Sequence, residues 1–248
     1  RDHRGHDRDV DAAEGVLRRV EELGHLGRLG QIPLELQRFR LLPDLQNEEL
    51  RRLLHAADAN ARELLGTLGY FAPTIAIELR EAAAPQPPYA VTITVEPGPQ
   101  TRVTQADIRM TEGAETEPGA RVRQLQRVES NWALPAGSPF TQGAWSDAQS
   151  SGLRQLQVRR SPTASIAASR AEVDAATHEA KLAVTYDPGP PYRFGPLQVR
   201  GSQRYDPDGA RRLARLPPGS VYDEAEMLDA QQRLANSGYY DAVFLTLD

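Results

Sequence analysis

The sequence DPGPPYRFG at residues 187–195 lies where one predicted domain ends and the next begins. It follows a strand predicted over 181–186 and precedes one predicted over 197–200, so we expect a restricted angle between the two domains. The turn EPGP at 96–99 stands 91 residues before the turn DPGP at 187–190. The same offset relates further pairs of positions, namely Gly69 and Arg160, Arg102 and Arg193, and Ile108 and Val199. An offset kept across a helix end, a hairpin end and a strand indicates an internal duplication.

A third copy follows this joint. The run LPPGSVY at 216–222 repeats LPAGSPF, which occurs 82 residues earlier at 134–140. The corner Gly238-Tyr239-Tyr240 likewise matches Gly69-Tyr70-Phe71. In the first copy the last strand starts 20 residues after the corner glycine, and the same distance from Gly238 lies beyond Asp248. We therefore expect the third copy to be cut short by one strand.

The predicted order of elements is strand, helix, helix, strand, strand, complete in the second copy and partial in the first and third, which is an α+β arrangement. Apolar residues at i, i+3 and i+4 predict the helices, and alternation of apolar and polar residues predicts the strands. The predicted helices cover 50–68, 122–128, 145–156, 208–216 and a segment beginning at 223. In that last helix, the predicted inward residues are Met227, Leu228, Leu234 and Ala235. The predicted strands cover 74–79, 89–95, 101–110, 164–173, 181–186, 197–200 and 242–247.

Composition and charge argue against several classes of function. The 248 residues carry a net charge of −5 and no cysteine. The acidic balance argues against a binder of nucleic acid or of anionic membranes. The lack of cysteine removes disulfides, thiolate metal sites and thiol nucleophiles. No apolar stretch has the length of a transmembrane helix, and the chain opens on Arg1 without an apolar leader, so we expect a processed or excised chain.

The element order and three motifs resemble the POTRA domain, the periplasmic repeat of outer-membrane assembly and translocation barrels. The motifs are YRFG at 192–195 followed by GSQ at 201–203, GYFAPTI at 69–75, and GYYD at 238–241. Together they are most similar to the POTRA region of TamA-like proteins, over about residues 44–248. Two features depart from that pattern: Arg160-Ser161-Pro162 replaces a Gly-Tyr corner, and residues 1–30 show no convincing opening strand.

The resemblance implies tandem POTRA domains, each an α+β unit with a three-stranded sheet and two helices on one face. It places the first domain at 1–98, the second at 101–188 and an incomplete third at 192–248. The fold of 1–40 is left open, with a disordered N-terminus as one alternative. The resemblance also implies a non-enzymatic arm at the periplasmic face of the outer membrane of a Gram-negative bacterium. Its implied partners are its own transmembrane β-barrel, a TamB-like inner-membrane subunit, and unfolded outer-membrane clients such as autotransporters.

By the same resemblance, the strand after each corner is a sheet edge, which can accept an added strand from another chain. The alternative is that Pro73 and Pro162 protect these edges. The expected edge residues are Ala72, Thr74, Ile75, Ile77, Ala164, Ile166, Ala168, Ala242, Phe244 and Thr246. The residues of the corners and the joint are expected to be structural, with exposed anchoring of a partner as the alternative for the aromatic ones. They are Gly69, Tyr70, Phe71, Gly189, Tyr192, Arg193, Phe194, Gly195, Gly238, Tyr239 and Tyr240.

Two other functions are left open. The chain could be the POTRA arm of a different assembly barrel or of a two-partner secretion porin. A secreted metal-dependent hydrolase would have to use Asp206, Asp208 and a histidine, but DPDG at 206–209 also makes a good turn and helix cap. We predict no catalytic, cofactor or metal site.

Overall fold

The computed structural model describes residues 47–81, 89–112, 119–202 and 204–247. The predictions for the opening region, residues 1–40, lie outside the described residues. Two compact units are formed. The first contains the described residues up to Thr104 together with 136–145 and 172–180, and the second contains the described parts of 105–135, 146–171 and 181–248. The predicted boundaries at 1–98, 101–188 and 192–248 stay a prediction.

The first repeat contains helix α1, Asn47–Thr67, followed by strands β1, Thr74–Glu81, and β2, Tyr89–Glu96. The helix ends where Gly69 adopts a φ of +91°, a conformation that glycine reaches without a Cβ penalty. The Tyr70 N–H then donates to the Leu65 carbonyl, which closes the helix end. Strands β1 and β2 pair antiparallel, with Ile77 opposite Ile93. The predicted helix, corner and two strands are confirmed here.

The second repeat contains a three-stranded sheet of β3, Arg102–Met110, β4, Ser165–Asp174, and β5, Glu179–Asp187. Its order is β3-β5-β4, so β5 is central and β4 lies at an edge. The Arg102 N–H donates to the His178 carbonyl and the Thr111 N–H to the Tyr186 carbonyl. These contacts advance in the same direction along both strands, so β3 and β5 are parallel. Helices α2, Ala120–Ser130, and α3, Gln142–Gln157, complete the repeat.

The third repeat contains helices α4, Pro207–Ala214, and α5, Glu224–Ala235. The carboxylates of Asp206 and Asp223 cap them, accepting from the N–H groups of Asp208 and Ala225. The predicted strands at 197–200 and 242–247 are wrong, because neither segment forms a strand. Backbone pairing defines a strand, and within the described ranges no strand is paired with either segment.

The predicted inward face of α5 is also partly wrong. Leu234 is buried and Met227 is half-buried, but Leu228 is 53% exposed and Ala235 is exposed. The buried stripe includes Ala230 instead. A helix turns by about 100° per residue, so Met227, Ala230 and Leu234 lie on one face. Leu228, which follows Met227 directly, points away from that face.

Among the residues whose burial the structure describes, Tyr186 is the largest fully buried side chain, and it lies against α3. Its hydroxyl donates to the Gln149 carbonyl at 2.9 Å. A Cβ added at Gly152 would overlap the Tyr186 hydroxyl and lie 2.9 Å from Cζ of its ring and 3.2 Å from Trp132 Cζ3. The glycine therefore makes the room that this tyrosine and tryptophan occupy.

We expect Gly152→Ala to lower the free energy of unfolding by about 1–3 kcal/mol, because overpacking outweighs the helix propensity of alanine. Gly143→Ala in the same helix is the matched control, since a Cβ there meets nothing within 4 Å. It should leave stability unchanged or raise it by up to about 1 kcal/mol. Urea unfolding followed by circular dichroism measures both variants, and equal effects would contradict this account of the Tyr186 pocket.

We expect ionisation of Tyr186 to contribute to alkaline unfolding. Burial raises the pKa of Tyr186 to about 12, from an ordinary value of about 10. The folded state therefore holds this proton more tightly, and the stability it provides is complete below about pH 10 and is lost between about pH 10 and 12. Tyr186→Phe should lose about 1 kcal/mol at neutral pH, because the Gln149 carbonyl loses its donor. Its stability should then fall less steeply than that of the parent between about pH 10 and 12. Parallel curves over that range in urea titrations would show that Tyr186 does not titrate as stated.

Candidate functional site

We call the contact between the corner at Gly69 and the start of the second repeat at Thr101 the first joint, and the corresponding contact between Arg160 and Tyr192 the second joint. The first joint connects the end of α1 to the start of the second repeat through the backbone. The Thr101 N–H donates to the Gly69 carbonyl at 2.9 Å. In turn the Thr101 carbonyl accepts from the Phe140 N–H at 2.8 Å. A Cβ at Gly69 would collide with the Phe140 carbonyl. The close approach of the two chain segments therefore requires glycine at this corner.

A second set of contacts fixes the connector 134–140 beside the start of β3. The Val103 N–H donates to Ser138 and the Val103 carbonyl accepts from Gly137, at 2.9 and 2.7 Å. The Arg102 guanidinium donates to the Gly137 carbonyl at 2.8 Å. Hydrogen bonds from Arg102 and Val103 at the start of β3 to Gly137 and Ser138 therefore fix the connector.

The second joint repeats the first set of contacts at the end of α3. The Tyr192 N–H donates to the Arg160 carbonyl at 2.8 Å, and the Tyr192 carbonyl accepts from the Tyr222 N–H at 3.0 Å. The Arg160 N–H also donates to the Tyr222 carbonyl at 2.8 Å. This joint therefore has one more backbone hydrogen bond between the corner and the connector than is seen at Gly69.

The connector 216–222 is held as the earlier connector is. The Phe194 N–H donates to Ser220 at 2.9 Å, and the Phe194 carbonyl accepts from Gly219 at 2.6 Å. The Arg193 guanidinium donates to the Gly219 carbonyl at 2.8 Å, as Arg102 does to Gly137. The offsets of 91 and 82 residues found in the sequence thus relate groups that make the same hydrogen bonds.

The aromatic contact with the connector comes from different elements in the two joints. In the first, the ring of Phe71 at the corner lies 6.0 Å from that of Phe140. In the second, Pro162 stands in the place of Phe71, and Phe194 supplies the ring instead, 5.6 Å from Tyr222. An aromatic residue at the start of the third repeat, Phe194, therefore replaces the one missing from the corner.

At the second corner, Arg160 replaces the glycine found at the other corners, but the backbone conformation is the same. Arg160 has a φ of +69°, close to the +72° of Gly238 and in the same region as Gly69. The left-handed region costs a residue with a Cβ about 1–2 kcal/mol. The backbone hydrogen bonds of Arg160 to Tyr192 and to Tyr222 hold the residue there.

Ion pairs also connect the end of α3 to the start of α5. Arg154 contacts Glu224 at 2.5 Å, and Arg159 contacts Asp223 at 3.6 Å. Both arginines are more than half exposed. Such pairs contribute little stability, so the backbone contacts carry this joint.

The remaining corner and joint residues fall into packed and exposed sets. Tyr70, Tyr192 and Tyr240 are half-buried, and Arg193 and Gly195 are exposed. Gly189 has a φ of +62° beside Thr163. Gly238 has the corner conformation, but a Cβ there would meet nothing within 4 Å. Tyr239, which is 53% exposed, and Tyr240 both contact the ring of Tyr205.

Of the predicted edge strands, β4 is the one that lies at the edge of a three-stranded sheet. All but one of its residues are exposed, including Ile166 and Ala168, while Ala164 just before it is buried. In the first repeat, Ile75 and Ile77 lie on β1 and are half-buried, and Ala72 and Thr74 are exposed. Ala242, Phe244 and Thr246 were predicted to lie on an edge strand, and this is wrong because no strand forms there. They are exposed, Phe244 to 85%.

The proposed metal ligands have other contacts. Asp206 caps α4, and Asp208 pairs with Arg211 at 2.5 Å. Within the ranges that the structure describes, no three His, Cys, Asp or Glu side chains are placed to hold a metal ion. In the same part of the chain, no helix combines the length and apolarity needed to cross a membrane.

We expect Gly69→Ala to destabilise the chain by several kcal/mol, because it combines an unfavourable φ with a backbone collision at the Phe140 carbonyl. Gly238→Ala is the control, since its φ is unfavourable but its surroundings are open. It should cost only about 1–2 kcal/mol. Urea unfolding compares the two, and a cost at Gly238 equal to that at Gly69 would refute close packing at the first joint.

Two family models match separate parts of the chain. Residues 36–97 match the model described as POTRA domain TamA domain 1. Residues 192–246 match the POTRA model described as surface antigen variable number repeat. The two matches thus fall on the first and third repeats, and neither description names an enzyme.

Solved structures of POTRA regions are similar at low identity. POTRA3-5 of Haemophilus influenzae BamA is 19% identical with a TM-score of 0.43, covering 82% of this chain and 76% of that one. POTRA1-3 of the periplasmic domain of Omp85 from Anabaena is 17% identical with a TM-score of 0.29, covering 80% and 75%. BamA from Haemophilus ducreyi lacking POTRA domains 1-3 is 14% identical with a TM-score of 0.31, covering 65% and 32%.

The α+β repeats and the matched models agree with the fold predicted from the sequence. The element order helix, helix, strand, strand after an opening strand is complete in the second repeat. Two segments of the chain, 36–97 and 192–246, are thus similar to POTRA domains, and the first of them is similar to the first POTRA domain of TamA.

Proposed function

We propose that this chain is the periplasmic arm of a TamA-like outer-membrane barrel that assists the assembly or translocation of outer-membrane proteins, autotransporters among them. The arm is non-enzymatic, and it docks a TamB-like inner-membrane subunit. The match of residues 36–97 to a model specific for the first TamA domain supports this assignment over other assembly barrels and two-partner secretion porins.

The observation that carries a binding role is the exposed edge strand β4. It borders the sheet beside the central strand β5, and nearly all of its side chains are exposed. The outer side of an edge strand presents unpaired N–H and C=O groups, which can bind an added strand through the backbone. Binding of this kind tolerates many sequences, as the handling of many unfolded clients requires.

The side chains of β4 suit the approach of a second backbone. Ala167, Ala168 and Ser169 are small, and no proline interrupts the strand from Ser165 to Asp174. Ile166, 37% exposed, is the one large apolar side chain on this strand that is markedly exposed. We infer that extended client segments pair with β4 and place an apolar residue beside Ile166.

We expect proline substitution to separate binding at β4 from stability of the sheet. N–H groups alternate in direction along a strand, so of Ala167→Pro and Ala168→Pro one loses an N–H facing β5 and the other loses an outward N–H. The variant that loses the N–H facing β5 should be clearly destabilised in urea. The variant that loses the outward N–H should stay close to the parent in stability and should no longer bind an added strand normally.

The probe is a labelled peptide of about ten residues with alternating valine and threonine, a length typical of a transmembrane β-strand. Fluorescence anisotropy should show binding to the parent and about fivefold or greater weakening in the variant that keeps its stability. Hydrogen exchange should show protection of β4 amides when the peptide is present. Normal binding to that variant, or protection confined to other residues, would contradict strand addition at β4.

A further inference from the structure

The edge strand β4 presents different side chains on its two faces. Successive side chains of a strand point to opposite faces, so residues two places apart share a face. One face of β4, which we call its charged face, carries Ile166, Ala168, Arg170, Glu172 and Asp174. The other face carries Ser165, Ala167, Ser169, Ala171 and Val173, none of which is charged. Selection of a partner by charge at this edge therefore has to come from the charged face.

The charged face changes in character along its length. Ile166 and Ala168 at its start carry no charge, and Arg170 and Glu172 follow with opposite charges. All four residues are exposed, so a strand added beside β4 can place its own side chains against them. Ile166 stands four residues before Arg170, and Arg170 stands two residues before Glu172. The pattern therefore differs between the two directions of the strand.

Asp174, at the end of the same face, serves the turn after β4. Its carboxylate accepts from the N–H groups of Ala176 and Thr177 at 2.9 and 3.3 Å. These backbone hydrogen bonds, with that from Ala176 first, lower the pKa of Asp174. We therefore assign the charged contacts with an added strand to Arg170 and Glu172.

Direct opposition across two strands is what makes these charges selective. In an antiparallel pair, residues directly opposite each other are the nearest side-chain neighbours between the strands. Opposite charges at such positions stabilise the pair, and like charges destabilise it. An antiparallel pair is also slightly more stable per residue than a parallel one. The charged face of β4 therefore favours one register of an antiparallel strand over the others.

We propose that Ile166, Arg170 and Glu172 determine which extended segments bind β4, and in which register. The preferred segment pairs antiparallel with β4. From its own N-terminus it has a basic residue opposite Glu172, then an acidic residue two places later opposite Arg170. An apolar residue follows four places after the acidic one and lies opposite Ile166.

Other alignments lose part of this match. A segment with its two charges exchanged meets like charges at both positions. Shifted by two residues, it regains one charge pair, but its apolar residue then lies opposite Ala164, which is buried and precedes the strand. Paired parallel, it regains both charge pairs, but its apolar residue then lies opposite position 176, beyond the end of β4. Among these arrangements, the stated order alone satisfies all three residues.

This inference rests on the proposed function, because it needs strand addition at β4. It deepens that function by naming the class of segment that the edge prefers. Exposed ion pairs contribute little stability each, so the charges bias a choice among clients and do not replace the backbone pairing. Attraction of the matched segment and repulsion of the exchanged one together produce the preference.

Two labelled peptides of ten residues test the preference, with one residue for each position of β4. In both, threonine fills every position but the third, fifth and ninth, and the ninth is valine. The matched peptide has lysine third and glutamate fifth, and the exchanged peptide has glutamate third and lysine fifth. In fluorescence anisotropy at low ionic strength, the full chain should bind the matched peptide about fivefold or more tightly. In about 1 M salt the two affinities should become nearly equal, because salt screens exposed charges.

An exchange of the two charges on β4 provides the reverse test. Arg170→Glu combined with Glu172→Arg keeps the net charge, and it should make the exchanged peptide the tighter ligand. The matched control exchanges a pair of charges on β3, at the other edge of the same sheet. There Asp107 and Arg109 also stand two places apart, and they form an ion pair at 2.6 Å. Asp107→Arg combined with Arg109→Asp should leave the parent's preference unchanged.

The possible outcomes separate this inference from the proposed function. Equal binding of the two charged peptides, with binding of the alternating valine-threonine peptide retained, would overturn the role of Arg170 and Glu172 and leave strand addition at β4 in place. Binding of none of the three peptides by a monomeric chain would overturn both. A preference reversed by the β3 exchange would place the peptide at the other edge and refute the assignment to β4. A parent that is dimeric by light scattering and excludes all three peptides would assign β4 to a second copy, which also contradicts the inference.

Discussion

The structure depends on one backbone hydrogen bond that is made twice, from the start of a repeat to the carbonyl at the corner that follows the preceding helix. Thr101 donates to Gly69 in one joint and Tyr192 donates to Arg160 in the other. Carbonyls at a helix C-terminus lack an intrahelical partner, so the start of the next repeat satisfies a group that would otherwise need water. Because both partners are backbone groups, the joint accepts different side chains at the same positions. The joint therefore restricts the backbone φ of the corner residue and not its side chain.

That constraint explains how the second corner departs from the glycine-aromatic pattern and still keeps its geometry. Arg160 has the left-handed conformation at a cost that its two backbone hydrogen bonds, to Tyr192 and Tyr222, offset. Pro162 has no aromatic ring, and Phe194 at the start of the third repeat packs against the connector in its place. The two joints share a set of backbone contacts and one aromatic pair with the connector. The ring that packs on the connector comes from the corner, Phe71, in the first joint and from the start of the next repeat, Phe194, in the second.

The strand β5 shows what a central strand contributes. It pairs on both sides and buries Ala180, Leu182, Val184 and Tyr186, the last of them against α3. Beside it, β4 remains a strand although almost nothing covers its side chains. In the second repeat, pairing with the central strand β5 therefore holds β4 in the sheet.

The repeat offsets, the helices and the corner glycines were determined by the sequence itself, because periodicity and backbone preference act over a few neighbouring residues. The tertiary structure decided the rest. It decided that 197–200 and 242–247 form no sheet, that Ala230 replaces Leu228 in the buried face of α5, and that Phe194 substitutes for a corner aromatic. Each of these outcomes depends on which distant segment lies beside a residue. Local alternation of side chains cannot specify that neighbour, since a hydrogen bond between strands needs a partner in space.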